Sequence, residues 1–169
     1  MFSIRTMTSA DVDAVVTIIR SHEEADGELA ERYYHEFFES EDPESPLQHN
    51  VVAIVDATAE VAGVGGWYPD KYDWPGILWL NWFYVAESHR RRGVGTMLLQ
   101  HIIENVQRLD TRKLYVDTST DAGYDDAVQL YERFGFREEG RLIDYYELGE
   151  DYLILGLDLT RPQIGPTTT

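Results

Sequence analysis

One unbroken passage, from Ile77 to Val106, constrains the fold more than any other part of the chain. Ile77 to Val85 reads Ile-Leu-Trp-Leu-Asn-Trp-Phe-Tyr-Val, an aromatic and branched run of strand length. A basic turn follows at Arg90-Arg91-Arg92. Gly93-Val94-Gly95-Thr96 then opens a stretch with Met97, Leu98, Ile102, Ile103 and Val106 at helical spacing. Another strand run comes at Lys113 to Thr118, so the connection is a strand–helix–strand crossover and demands some parallel pairing in a mixed sheet. The same passage is chemically loaded. Glycines at 93 and 95 remove side chains where a ligand would touch the backbone. The amides of the first helical turn point outward with the positive end of the dipole, and three arginines add charge. That is an anion site suited to a phosphate-bearing cofactor. An arginine-rich turn before a helix also serves purely structural ends, so this segment alone leaves both readings open.

The rest of the chain supplies alternating elements around it. Phe2 to Thr6 reads as a strand. Thr8 or Ser9 can cap a helix over Ala10 to Ser21, with Val12, Val15, Val16 and Ile19 on one face. A second helix is expected over Glu28 to Glu39, and Glu41 to Pro46 reads as a loop. Val51 to Val55 and Val61 to Tyr68 form a hairpin. Asp125 to Phe134 is a helix stopped by Gly135. Strands at Arg137 to Tyr146 and Tyr152 to Leu159 close a single domain over 1–160, and 161–169 reads as a flexible tail. The order is β-α-α-β-β-β-α-β-α-β-β.

Composition excludes several chemistries. The chain has 169 residues and no cysteine, which removes disulfides, thiolate metal sites and cysteine nucleophiles. No apolar run reaches membrane-span length and the N-terminus has no signal-peptide core, so a cytoplasmic protein is expected. Acids outnumber bases 31 to 14, for a net charge of -17. Either the acids attract a cationic substrate or they are a salt-adapted surface, and the composition resembles proteins from halophilic archaea. Neither nucleic acid nor membrane is an expected partner, and a homodimer is a compatible assembly. The five histidines show no metal-ligand spacing, so no metal is expected, and His89 reads as a solvated turn residue.

Competing phosphate motifs fail. The glycines at 93 and 95 are not followed by Lys-Ser or Lys-Thr. Gly63-Val64-Gly65-Gly66 lies in a hairpin strand and precedes no helix, so it reads as bulge or close-packing glycines. A second segment sharpens the reading: Ala127-Val128-Gln129-Leu130-Tyr131-Glu132-Arg133-Phe134-Gly135-Phe136. Together the two segments resemble the GNAT superfamily of N-acetyltransferases. Arg90, Gly93 and Gly95 match its R/Q-x-x-G-x-G/A loop, and Ala127, Tyr131, Gly135 and Phe136 match its A-x-x-x-Y-x-x-x-G-F segment.

The resemblance implies a mostly antiparallel mixed sheet with one splayed parallel pair, flanked by helices, and acetyl-CoA as cofactor. It implies that backbone groups of Phe83, Tyr84 and Val85 line the pantetheine arm. Amides across Arg90, Arg91, Arg92, Gly93, Val94, Gly95 and Thr96 would hold the pyrophosphate. Tyr131 would sit near the thioester sulfur. A thiol has a pKa of about 8.5 and a tyrosine about 10, so a tyrosine can protonate the leaving group. A core aromatic on an amphipathic helix would look the same.

A lysine-like amine, pKa about 10.4, needs a base before it attacks. Ile77 to Ala86 contains no Asp, Glu or His, so the strand that often carries one offers none. Asp117 matches a position that is acidic in some relatives, and could equally cap the loop from Thr118 to Asp121. The implied activity is acetyl transfer to a primary amine in a ternary complex. A non-catalytic acyl-CoA-binding or sensory module is the rival. The acceptor loops implied are Ser21 to Glu28 and Asp144 to Asp151, both acidic.

Overall fold

Alternating apolar runs and glycine-marked turns become seven strands and four α-helices in the computed structural model, which describes residues 1–39 and 47–160. The loop at Glu41 to Pro46 and the tail at 161–169 lie outside the described residues. The elements are β1 (Phe2–Thr6), α1 (Val12–Arg20), α2 (Glu24–Glu39), β2 (His49–Val55), β3 (Val61–Tyr68) and β4 (Ile77–Val85). They continue with α3 (Val94–Val106), β5 (Lys113–Ser119), α4 (Asp125–Arg133), β6 (Arg137–Glu147) and β7 (Glu150–Asp158). This is the expected order. The sheet runs β1-β2-β3-β4-β5-β7-β6. Its β4–β5 pair is parallel and the registers of β1–β2, β2–β3, β5–β7 and β6–β7 are antiparallel.

By packing, the chain falls into two units: Met1–Tyr68 with Asn81–Asn105, and Pro69–Leu80 with the described residues from Val106 onward. In the first unit, Val15, Val16 and Ile19 of α1 meet Ala30 and Tyr34 of α2 over Val52 and Val64. A short 3₁₀ turn, Ser9–Asp11, precedes α1, so the helix begins later than its capping residues suggest. Asp11 is buried there and accepts two 2.7 Å bonds from Arg5 and 2.8 Å bonds from the Thr8 amide and hydroxyl. The Arg5 bond holds its carboxyl down at about 2, against the opposing pull of burial.

The α2 helix begins at Glu24, not Glu28. Glycine weakens a helix interior, but Gly27 is needed for contact: a Cβ on it would lie 2.6 Å from the Arg20 Cβ. Ser21 to Glu28 is therefore mostly helix, and the α1–α2 turn is short. The glycines of β3 are close-packing residues, as expected. A Cβ on Gly63 would lie 2.9 Å from the Tyr84 carbonyl oxygen and 3.1 Å from Leu98, and one on Gly65 would lie 2.9 Å from Ile102. Missing side chains let α3 settle directly onto the sheet, which fixes the height of the turn that precedes it.

In the second unit, β4 and β5 pair over Ile77↔Lys113, Leu78↔Leu114 and Trp79↔Tyr115. β5 pairs with β7 along its length, and β6 forms the sheet edge. Phe136 is fully buried beneath α4, with its amide on the Tyr131 carbonyl at 3.1 Å.

Candidate active site

The turn from Arg90 to Thr96 lies in the first unit. β4 ends at Val85 after a break in strand geometry at Trp82, whose φ is +37°. The chain then makes a short 3₁₀ turn at Glu87–His89 and a tighter one through Arg90 to Gly93. Gly93 has φ of +84°, a left-handed conformation that favours glycine, and open space lies where its Cβ would stand. The first α3 bond runs from the Met97 amide to the Gly93 carbonyl at 3.0 Å. The amides of Val94, Gly95 and Thr96 therefore precede that bond, at the positive end of the helix dipole. Val94 itself is buried and anchors the helix start, while Gly95 and Thr96 are half-buried. The arrangement has the chemistry a pyrophosphate needs: backbone donors, an uncrowded glycine and nearby guanidinium groups.

The three arginines are not equivalent. Arg92 lays its guanidinium over the Phe2 ring, 5.1 Å from the centroid. Arg91 adopts φ of +60°. Arg90 packs its Nη2 against His22, 2.8 Å from Nε2 and 3.1 Å from Nδ1. His89 is buried, not solvated: its Nδ1 meets the Ser88 hydroxyl at 2.9 Å and its ring stands edge-on to Phe2 at 5.7 Å. Upstream on β4, Phe83 and Tyr84 are half-buried; the Phe83 ring lies beside Gly65, and the Tyr84 hydroxyl donates to Asp26 at 2.5 Å. Asn81 is buried and donates to Asn50 at 3.0 Å, and Asn50 and Gln48 amides approach the Tyr33 hydroxyl. Sequence reasoning missed both His22 and this amide network, because their partners are far apart in the chain.

Tyr131 and Asp117 lie in the second unit. Tyr131 is 3% exposed, its ring 5.6 Å from that of Phe136. Burial raises its hydroxyl pKa far above the ordinary tyrosine value, and the Asp117 charge adds to this. Asp117 is exposed, paired across the sheet with Ile154. The loop that follows carries caps of its own. There the Asp121 amide donates to the Ser119 hydroxyl at 2.8 Å, and the Asp121 carboxylate caps the Gly123 amide at 2.8 Å. Of the tryptophans, Trp67 is buried and Trp79 packs at a tilt against Tyr115, whereas Trp74 is largely exposed, as is Tyr72. Among the described residues, no group of acids and histidines gathers as a metal would require.

The family model for the acetyltransferase (GNAT) family matches residues 14–136. The N-alpha-acetyltransferase of Sulfolobus acidocaldarius is 27% identical over 94% of this chain and 93% of its own length. The uncharacterized N-acetyltransferase YsnE of Bacillus subtilis is 41% identical over 40% of this chain, which spans 42% of that protein's length. Among solved structures, a GNAT-family acetyltransferase from Desulfovibrio desulfuricans superposes with a TM-score of 0.80 at 24% identity, over 94% of this chain and 99% of that one, a likeness of fold. The chain belongs to the acetyltransferase (GNAT) family, with the acetyl-CoA donor and amine acceptor that membership carries.

Proposed function

We propose that this protein moves an acetyl group from acetyl-CoA to a primary amine by direct attack, with no acetyl-enzyme step. When bound, acetyl-CoA supplies the acyl group as an activated thioester. The observation that carries the reading is the turn at Gly93, left-handed and uncrowded, ahead of the free end of α3. Amides from Arg90 to Thr96 hold the pyrophosphate, and the backbone of Phe83, Tyr84 and Val85 lines the pantetheine arm. The acyl shuttle most often used in such chemistry is a cysteine, and the chain has none.

Tyr131 is the residue we assign to the leaving sulfur. Burial keeps its phenol protonated, so it donates a hydrogen bond as negative charge develops. The same burial makes complete proton transfer harder, because a phenolate of raised pKa is a stronger base than the thiolate of about 8.5. Hydrogen-bond donation is thus a better description than full protonation. The proton that sulfur finally carries replaces the one nitrogen loses, and Asp117 is the carboxylate we assign to that relay.

The acceptor follows from the missing base on β4. A lysine-type amine of about 10.4 is almost wholly charged at neutral pH, whereas an α-amine of about 7.7–8.0 is substantially neutral without help. An α-amine therefore suits this site, and the full-length likeness to an N-alpha-acetyltransferase supports it. We also assign the acidic surface to salt adaptation of a cytoplasmic protein, as in halophilic archaea. A second copy of the chain is the partner we assign to β6, whose exposed Leu142, Ile143, Tyr145 and Tyr146 stand on the sheet edge.

Thiol release tests the core of this, since a cysteine-free protein contributes no background. Peptides with a free N-terminus should be acetylated faster than N-blocked lysine peptides or spermidine. Gly93→Val should abolish acetyl-CoA binding without unfolding the protein. Acetyl-CoA binding with no turnover of any amine would instead establish a sensory module, and unchanged affinity in Gly93→Val would remove the cofactor site.

A further inference from the structure

His22 sits in the short turn between α1 and α2, its amide on the Ile19 carbonyl at 2.9 Å. At the end of β4, the Ala86 amide donates to Ala62 at 3.0 Å. That turns the preceding carbonyl, of Val85, to the opposite edge of the strand. There His22 Nε2 lies 3.1 Å from the Val85 oxygen. A carbonyl only accepts, so Nε2 carries the proton and Nδ1 is bare in the neutral ring. The Arg90 Nη2 is 2.8 Å and 3.1 Å from the two ring nitrogens. No in-plane position satisfies both without colliding with the ring carbon between them, so the guanidinium rests on the ring face. The Tyr84 ring also meets His22 edge-on, at 4.9 Å and 74°.

A neutral imidazole face welcomes a guanidinium; an imidazolium repels it. The groups that bear on the ring are Arg90 from the turn, Glu87 from the segment after β4, Asp26 from α2, and the Val85 carbonyl. Burial is the largest influence and holds the imidazole below its ordinary value; Arg90 acts the same way, while Val85, Glu87 and Asp26 oppose.

We infer that His22 is a positioning residue for the phosphate-binding turn: as a neutral ring it ties down the Val85 carbonyl and supports Arg90, and on protonation it releases Arg90. Acetyl-CoA binding then weakens in mildly acidic solution through a residue that touches no phosphate. The inference rests on assigning Arg90 to Thr96 to the pyrophosphate.

Calorimetric titration with acetyl-CoA from pH 8 to pH 5.5 tests it, comparing wild type with His22→Gln and His22→Ala. Glutamine keeps a donor for Val85 and an uncharged surface for Arg90, but does not titrate. At pH 8 the glutamine variant should bind within a few-fold of wild type, and the alanine variant about tenfold more weakly, as for loss of one charge-assisted contact. Toward pH 5.5 wild type should lose about two- to threefold more affinity than the glutamine variant, the gap widening with each further step of acidification. Titration of the ligand's own phosphates is common to both and cancels. Ring-proton NMR without ligand adds a second readout: Arg90→Gln should raise the His22 midpoint. Parallel pH profiles for wild type and His22→Gln, or an unmoved midpoint, would overturn the inference. A failed cofactor assignment looks different, because Gly93→Val would then retain affinity while the NMR coupling of His22 to Arg90 persisted.

Discussion

Tyr131 shows how burial decides what a side chain can do. Its position in Tyr-x-x-x-Gly-Phe was legible in the sequence, but nothing there told a packed ring from a reacting one. The structure makes it a buried phenol, held neutral, with an acidic neighbour on β5. Tyr131→Phe keeps the ring and its packing on Phe136 while removing only the donor. If that donor serves the leaving sulfur, kcat should fall by about 10²- to 10³-fold, as for removal of one oxyanion-type donor, with acetyl-CoA affinity little changed. Steady-state thiol release on the variant reads this directly. Turnover near wild type would return Tyr131 to the role of a core aromatic. His22 and His89 were beyond sequence reasoning for a different reason. His22 gains its meaning from Val85 and Arg90, and His89 was buried by Phe2, at the far end of the first unit's sequence.

At the level of elements, period and punctuation carried most of the fold. β1, β3 and β4 fall where alternation and aromatic content place them, and Gly135 ends α4 with φ of +94°. The α2 start was hidden because Gly27 argues against helix locally, while its tertiary role as a contact point for Arg20 argues for it. The edge strand β6 is the element with most left unexplained by its own unit. Ile143 is 75% exposed and Leu148, in the turn after it, 93%. Two copies pairing through this edge would cover both. Sedimentation should therefore find a dimer in wild type and a monomer in the Ile143→Glu, Leu148→Glu double variant. A wild type that stays monomeric at high concentration would remove the proposed assembly.

Over the whole molecule, charge is the dominant variable. With -17 on 169 residues, self-repulsion opposes the compact state in dilute buffer, and its range shrinks from about 30 Å at 0.01 M salt to about 3 Å at 1 M. Salt adaptation predicts a melting temperature that climbs from dilute buffer to molar potassium chloride. A single domain over 1–160 predicts that it climbs as one transition. A melting curve indifferent to salt would instead favour the acids as a lure for a cationic acceptor. Sequence alone gave the charge but not its purpose, because the acids are spread along the chain and mark no one face.

The scarcity of lysine has a consequence for an enzyme of this kind. An amine acetylator carries its own potential substrates, and a slow reaction with itself would erode it over a long life. Here the side-chain amines are Lys71 and Lys113 alone. Lys113 has its amine engaged in an ion pair with Glu139. Lys71 stands in an exposed loop with its amine over the Tyr72 ring, 4.7 Å from the centroid. Arginine, which takes no acetyl group under such conditions, bears nearly all the remaining positive charge, so the chain offers only two side-chain amines to its own chemistry.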